Sequence, residues 1–476
     1  YMGPHTLWGP LADFHVELIV AGLATIASLQ GLGRSRVFSI PQTYALGGMV
    51  VSVFLSMLFA GWLGGVPGAV LSFIPNIFAF FLVIANCRRR MHLQLIIAAL
   101  VLVCFVIIAR GYMAMRAHDI LSPYVLPPGE DSTDGVFRLR GLAFINDPND
   151  FAQLTVSLIP CLFLFWRRSH PARNFLLVLA PALVLIFGMY LTHSRGGMLA
   201  LLAVILFASR RKIGTIAAAL MAAAGFAGAT VVGWSGGRDV SVKAGSERLE
   251  AWSTGLQLIK SHPLFGVGYL RFNEYFYITA HNTIVVCAAE LGMFGLFCWL
   301  MFVFPTIRDA YVSSIDPDAR KSKEEEEVLA YAMAYGGQKR EVDLRWQPAG
   351  QMATDAVQAS TAVQEPAIAA DMPLHLSEVE QDEERLPAEE IRRIAGLMPL
   401  CLLGYLVAGW FLSRAYVMTL FIYGGMVQVI YRWALDQNLA PAPMRLPKIA
   451  QYAAVIAVVL IALVYVMLRL EHLMGH

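Results

Sequence analysis

The sequence predicts an all-α polytopic membrane protein with about twelve transmembrane helices. Hydrophobic residues make up 57% of its 476 residues and charged residues only 15%, whereas a soluble domain has about 45–50% and about 25%. The apolar residues fall into runs of roughly 20, which is the length that crosses a bilayer. Basic residues are concentrated in the short segments between alternate runs, as in membrane proteins whose loops alternate between two faces.

The limits of the predicted spans follow from these apolar runs. They are approximately residues 16–31, 44–62, 66–86, 92–110, 150–166, 174–192, 196–209, 213–233, 282–304, 394–412, 415–433 and 449–468. Basic residues follow the first, third, fifth and seventh spans, at Arg34, Arg36, Arg88, Arg89, Arg90, Arg167, Arg168, Arg173, Arg210, Arg211 and Lys212. Because basic loops stay in the cytoplasm, we expect these segments inside and both termini outside. The chain begins at Tyr1, so a further helix upstream stays open.

This topology divides the chain into three parts. We expect a membrane domain of residues 1–307 with the first nine spans, a charged cytosolic insertion of residues 308–393, and a membrane domain of residues 394–476 with the last three spans. It leaves two sizeable extracytoplasmic loops, at about residues 111–150 and 234–281.

The net charge of +2 combines two unlike parts of the chain. The insertion contains 19 acidic and 10 basic residues, whereas the remainder contains 15 acidic and 26 basic residues. Its middle is rich in Ala, Gln and Pro, which predicts partial disorder. We regard the insertion as a candidate docking segment for a protein partner. The near-neutral total argues against nucleic acid as a partner.

The cysteines give no indication of a metal site. All six lie in or beside apolar runs, and no two of them have the spacing of metal ligands. This pattern is typical of small buried hydrophobic residues. We therefore expect neither a disulfide framework nor a bound metal, and no motif in the chain predicts a cofactor.

Several basic residues lie on the predicted outer side, where topology does not require them. They are Arg138, Arg140, Arg195, Arg248 and Arg271. A guanidinium group presents a planar fork of donors that matches phosphate oxygens. Arg195 begins a predicted span and is followed by two glycines, so it is a candidate anion ligand at the membrane surface. The alternative, an arginine that extends to the lipid interface, stays open.

The second outer loop ends in a further set of polar residues. His281 and Asn282 stand where the chain re-enters the membrane, and the pKa of histidine suits proton transfer near neutral pH. A purely structural role for His281 stays open. Glu290 lies roughly two and a half turns farther along the helix and needs a partner there. In the first loop, Asn149 belongs to a predicted turn and helix cap.

Four stretches of this sequence occur in the same order in the O-antigen ligase and polymerase superfamily. They are RLRGLAFINDPNDFAQL, LTHSRGGML, SERLEAWSTGLQLIKSHPLFGVG and AHNTIVVCAAELGMFGL. The chain resembles that superfamily over roughly residues 138–300. The resemblance implies a GT-C-like architecture and a metal-independent, inverting membrane glycosyltransferase. The insertion is a departure from the family pattern.

The resemblance also implies a reaction and roles for individual residues. The donor is a glycan on undecaprenyl diphosphate, and the active site lies on the periplasmic face of the bacterial inner membrane. His281 matches the catalytic histidine, and Arg195 and Arg248 match arginines that bind the diphosphate. Arg138, Arg140, Asn149, Arg271, Asn282 and Glu290 are candidate supporting residues. The acceptor stays open between another glycan, lipid A–core and a protein hydroxyl, with a polysaccharide polymerase slightly favoured.

Two other classes of protein would share this composition. A transporter or permease would carry ionisable residues near the middle of several spans, whereas these spans are nearly free of charge. A non-catalytic subunit of a membrane assembly would not need His281, Arg195 and Arg248 together. Both alternatives stay open at this point, with surrounding membrane lipids as partners in every case.

Overall fold

The computed structural model describes residues 16–34, 37–128, 136–234, 242–318 and 386–474. The helices are α1 (Val16–Arg34), α2 (Pro41–Phe59), α3 (Val66–Asn86), α4 (Arg90–Ala117), α5 (Pro148–Cys161), α6 (Pro171–Leu191), α7 (Arg195–Ile213), α8 (Thr215–Val231), α9 (Val242–Ser261), α10 (Thr283–Ser314), α11 (Ala388–Ala395), α12 (Met398–Gly409), α13 (Met418–Asp436) and α14 (Leu446–Met474). Two short strands, β1 (Val125–Leu126) and β2 (Arg138–Leu139), pair antiparallel. The all-α class is thus confirmed.

Every predicted span overlaps one of these helices. Seven helical stretches within the described residues are long and apolar enough to cross a membrane: Pro41–Phe59, Leu63–Asn86, Arg90–Ala117, Pro171–Leu191, Thr283–Ser314, Ala388–Gly409 and Leu446–Leu470. Helix α8 is apolar but shorter. The total of about twelve spans and the arrangement of the loops therefore stay predictions.

The chain forms two compact units, one of residues 1–314 with 388–476 and the other of residues 315–387. Most of the second unit lies outside the described residues, and so does most of the predicted insertion. The ends of that predicted insertion are helical, because α10 continues to Ser314 and α11 begins at Ala388. The middles of both predicted outer loops, residues 129–135 and 235–241, also lie outside the described residues.

Helix α10 forms the centre of the first unit. It packs against α2, α13 and α14, and most of its residues are buried. Phe302 on α10 contacts Phe80 of α3 and Phe421 of α13, with ring centroids 5.6 and 5.3 Å apart. Such aromatic pairs add to the burial of apolar surface. A second group of helices, α5, α7 and α12, packs together beside α10.

Helix α10 is interrupted at Gly292, whose φ of 69° and ψ of −176° are not helical. Residues 263–268 fill the break: the N–H of Val267 donates to Ala289 O at 2.9 Å, and that of Met293 donates to Pro263 O at 2.8 Å. A Cβ at Gly292 would lie 2.2 Å from Leu264 O, so the close approach requires glycine. These contacts of residues 263–268 fix the second outer loop against α10.

A buried carboxylate joins three helices near the far end of α10. Asp309 Oδ2 accepts hydrogen bonds from Gln42 of α2 and Gln428 of α13, at 3.0 and 2.9 Å. Its Oδ1 accepts one from Arg308 at 2.8 Å. An ionised group in such a position needs this degree of hydrogen bonding. Asp309 therefore links α2, α10 and α13 through hydrogen bonds and has a structural role in the bundle.

Candidate functional site

The first part of the site is the beginning of α5. Asp147 caps this helix by accepting the N–H of Asn149 at 2.7 Å, and Pro148 occupies the first turn. Asp150 is 4% exposed and forms a two-point ion pair with Arg414, in which Nε donates to Oδ1 at 2.7 Å. The pair ties α5 to the segment between α12 and α13, 264 residues away in the sequence.

The second part is the beginning of α7. Ser194 caps this helix by accepting the N–H of Gly197 at 3.1 Å, and Arg195 is its first residue. The two following glycines allow close packing, because a Cβ at Gly197 would lie 2.7 Å from that of Ala152 on α5. A Cβ at Gly196 would lie 3.0 Å from Phe411. Arg195 is thereby held beside α5 and the α12–α13 segment.

The third part is the beginning of α10. Asn282 is fully buried and caps the helix by accepting the N–H groups of Ile284 and Val285, at 2.9 and 3.1 Å. His281 precedes it with a φ of 46°, an uncommon conformation for a residue with a side chain. The indole of Trp252 on α9 donates to Ala280 O at 2.7 Å and anchors the residues before His281.

These three helix starts meet around residues 410–417. The hydroxyl of Thr283 donates to Leu412 O at 2.8 Å and accepts the N–H of Arg414 at 3.3 Å, which joins α10 to the segment that already contacts α5 and α7. The first N–H groups of a helix carry partial positive charge and lack helical partners. Three such ends beside arginine side chains favour an anionic ligand.

His281 lies within electrostatic range of three charged side chains. Burial has the largest effect and lowers the pKa of His281; Arg248 and Arg414 lower it further, and Asp147 opposes them. The pKa is thus below its usual value of about 6.5. The imidazole is therefore neutral at neutral pH, which is the form that accepts a proton. Its ring makes no hydrogen bond to another residue within the described ranges.

Arg138 in β2 and Arg140 just after it have different partners. The Nε of Arg138 donates to Thr192 O at 3.0 Å, in the turn before α7, so Arg138 lies at the site. The Nε of Arg140 donates to Pro123 O at 3.1 Å and holds the first outer loop together. Asn149 lies in the first turn of α5, beside Asp150.

Arg271 and Glu290 contact residues of the second outer loop and its surroundings. Arg271 forms an ion pair with Glu274 at 2.5 Å and lies over the ring of Trp62, 5.3 Å from its centroid. Glu290 is 3% exposed and accepts the N–H of Phe272 at 3.3 Å. Glu290 therefore holds the loop that follows residues 263–268, and the N–H of Phe272 is a partner of the kind that the sequence required.

Arg414 is the site residue that sequence reasoning missed. Arg414 lies in the short segment between the tenth and eleventh predicted spans, where the sequence predicted no sizeable loop and therefore no site residue. The signal available was a lone arginine in a segment that the predicted topology places outside, where positive charge is not needed. Its partner Asp150 gave no indication of such a distant contact. Among the described residues, no group of three or more His, Cys, Asp or Glu side chains is arranged to hold a metal ion.

A comparison with protein families bears on this site directly. Residues 180–300 match the family described as O-antigen ligase. This confirms the predicted resemblance to the O-antigen ligase and polymerase superfamily. The matched residues include Arg195, Arg248 and His281, and extend from α6 to α10. No curated protein matches the chain.

The family match and the helices together indicate the broad class of this protein. It is a multi-pass membrane protein that is similar to the O-antigen ligase family over residues 180–300. The candidate site lies where α5, α7 and α10 begin. Asp150 precedes the matched residues in the sequence, Arg195 lies within them, and Arg414 follows them.

Proposed function

We propose that this protein transfers a glycan from undecaprenyl diphosphate to an acceptor hydroxyl, with His281 as the general base. The observation that carries the proposal is the surroundings of His281. A neutral imidazole has Arg248 and Arg414 within electrostatic range, at the point where three helices begin. A proton acceptor beside a concentration of positive charge suits a reaction that expels a diphosphate.

The chemical step needs one base and one anion site. The acceptor oxygen attacks the anomeric carbon while its proton passes to the free ring nitrogen of His281. The bond from that carbon to the diphosphate oxygen breaks, and the lipid diphosphate leaves with the electron pair. A single displacement of this kind inverts the anomeric configuration. General bases in such steps contribute about 10²–10⁴-fold to the rate.

Arg195, Arg248 and the helix starts are proposed to hold the diphosphate. Charge on the leaving group grows in the transition state, so fixed donors stabilise that state more than the ground state. Arg414 is also close, but its ion pair with Asp150 neutralises much of its charge. We assign it the positioning of α5 and His281. Positive side chains then supply the charge stabilisation without a metal ion.

The test compares two histidines in a strain that lacks the natural gene. His281→Ala should abolish the surface glycan product, whereas His170→Ala should preserve it, because His170 is exposed in the α5–α6 turn. Protein levels in the membrane are measured for both variants. A normal glycan profile with His281→Ala at a normal protein level would refute the general-base role.

The same experiment separates the two activities that we retain. A polymerase defect leaves single repeat units on the cell surface, whereas a ligase defect leaves full-length chains on the lipid carrier. We slightly favour the polymerase. Either activity places the active site on the periplasmic face of the bacterial inner membrane, where lipid-linked glycans meet their acceptors.

A further inference from the structure

The other end of α5 carries a cluster of arginines that the proposed reaction does not use. We call it the arginine cluster and define it by six residues from three separate segments. They are Arg88 and Arg90 at the start of α4, Arg167 and Arg168 between α5 and α6, Arg173 in the first turn of α6, and Arg393 on α11. Arg167, Arg173 and Arg393 lie within electrostatic range of Arg90, where the apolar stretch of α5 ends, and Arg88 precedes Arg90 by two residues.

Part of the cluster satisfies backbone carbonyl groups. Arg90 donates to Leu164 O, Arg173 to Phe165 O at 2.9 Å, and Arg393 to Phe163 O at 3.0 Å. Leu162–Phe165 continue α5 as a 3-10 turn, and the last carbonyls of a helical stretch lack helical partners and carry partial negative charge. These three arginines therefore have a structural role at the end of α5.

The rest of the cluster presents positive charge outward. Arg88, Arg167 and Arg168 are exposed. Two acidic side chains oppose the six arginines among the described residues: Glu390, which binds both Arg90 and Arg393, and Glu389, which is 3.8 Å from Arg168. Arg90 also lies within electrostatic range of Arg167, Arg173 and Arg393, so like charges are held close together. An anion at this place would relieve that repulsion.

Apolar surface continues from the cluster along two helices. Met91 and Leu95 of α4 are 62% and 55% exposed, and Phe175 and Leu176 of α6 are 58% and 66% exposed. The apolar stretches of these helices begin at Arg90 and Pro171, so the arginines lie at the level of lipid headgroups. The neighbouring apolar residues lie at the level of acyl chains.

We propose that the arginine cluster binds the headgroup of an anionic phospholipid of the surrounding bilayer. The phosphate contacts Arg88, Arg167 and Arg168, and the acyl chains lie along the exposed residues of α4 and α6. Basic sites between membrane helices bind such lipids in this manner. The site is separate from the His281 site and does not depend on the proposed reaction.

The test uses the full-length protein purified in detergent, with phosphatidylglycerol as the probe and phosphatidylcholine as the neutral comparison. Retained lipid is counted by native mass spectrometry. The variant R88Q/R167Q/R168Q should retain phosphatidylglycerol about 100-fold less well, since each of the three basic residues contributes about 1 kcal/mol near an anionic surface. The charge-conserving variant R88K/R167K/R168K should retain most of it.

The matched control is R210Q/R211Q/K212Q at the end of α7, which removes the same charge from exposed positions on the same predicted face. It should retain phosphatidylglycerol as the unaltered protein does. Equal loss in both glutamine variants would refute a defined site in favour of general surface charge. Unchanged retention in R88Q/R167Q/R168Q, or equal retention of phosphatidylcholine by the unaltered protein, would also refute the proposal.

Discussion

The two ends of α5 both carry arginines, but their surroundings differ. At its beginning, Arg195 starts the neighbouring helix α7, and Arg248 and Arg414 lie within electrostatic range of His281. At its far end, Arg90 and Arg393 donate to the carbonyl groups that terminate the helical stretch. Helix starts and arginines both carry positive charge, whereas helix ends neutralise arginines. The same residue type thus surrounds the proposed catalytic site at one end, whereas at the other end Arg90 and Arg393 cap the helical stretch beside the arginines proposed to bind a lipid headgroup.

This difference shows why the number of arginines on a face says little about function. The partner of each guanidinium group decides its role. Arg138 and Arg140 make the same point over two residues, because one contacts the turn before α7 and the other contacts its own loop. Four experiments test the contrast between the two ends.

The largest expected effect concerns the rate of glycan transfer. Arg195→Gln and Arg248→Gln should each lower the rate by about 10²–10³-fold, because each removes a fixed cation from the leaving group. Arg211→Gln, at the other end of α7 from Arg195, should leave the rate near that of the unaltered protein. Initial rates with a purified lipid diphosphate donor provide the measurement. Equal losses at both ends of α7 would contradict the contrast.

The next effect concerns stability. Asp150→Asn should lower the free energy of unfolding by about 3 kcal/mol, because it leaves Arg414 without its buried ionic partner. Glu390→Gln, at the other end, should cost about 1 kcal/mol, because the carboxylate of Glu390 is more exposed than that of Asp150. Thermal unfolding in detergent measures both variants. The reverse order would show that the Asp150–Arg414 pair is not the stronger tie.

A smaller effect concerns the packing of α7 on α5. Gly197→Ala should lower the free energy of unfolding by about 1–3 kcal/mol, because the added methyl group meets Ala152. Gly47→Ala is the matched control, since no atom lies within 4 Å of its added Cβ and alanine favours the helix. Equal stability of the two variants would show that α7 can move away from α5 without cost.

The smallest effect concerns the pH dependence of transfer. Activity should rise with pH through the lowered pKa of His281, so its acid limb should lie below about pH 6.5. Removing positive charge with Arg248→Gln should raise that pKa and move the limb to higher pH. Removing negative charge with Asp147→Asn should lower the pKa and move the limb to lower pH. The measurement is the pH profile of kcat for each variant. A shift of the acid limb in the same direction in both variants would exclude His281 as the titrating base.

Much of the fold follows from local pattern. Apolar runs predict the positions of the helices, because about 20 consecutive apolar residues in a helix are enough to cross the hydrocarbon core of a membrane. Charges between the runs predict the side of the membrane on which each loop lies. The interruption of α10 was not predicted, since Gly292 resembles any glycine in a helix until residues 263–268 are placed beside it.

The candidate site was predicted in part. His281, Arg195 and Arg248 were proposed from their residue types, their loop positions and a family resemblance over residues 138–300. Arg414 was not proposed, because its role depends on Asp150. The assignment of Arg271 to Glu274, and of Glu290 to the N–H of Phe272, likewise required the packed structure.

The sequence by itself determined the helical class, the apolar stretches and a set of polar residues at helix starts. These properties depend on neighbours within a few turns, so composition and spacing encode them. Tertiary structure alone decided that the starts of α5, α7 and α10 meet around residues 410–417. It did so because close contacts at Gly197 and a buried ion pair bring together residues that are far apart in the sequence. The lowered pKa of His281 depends on the burial and the charged side chains at that meeting point.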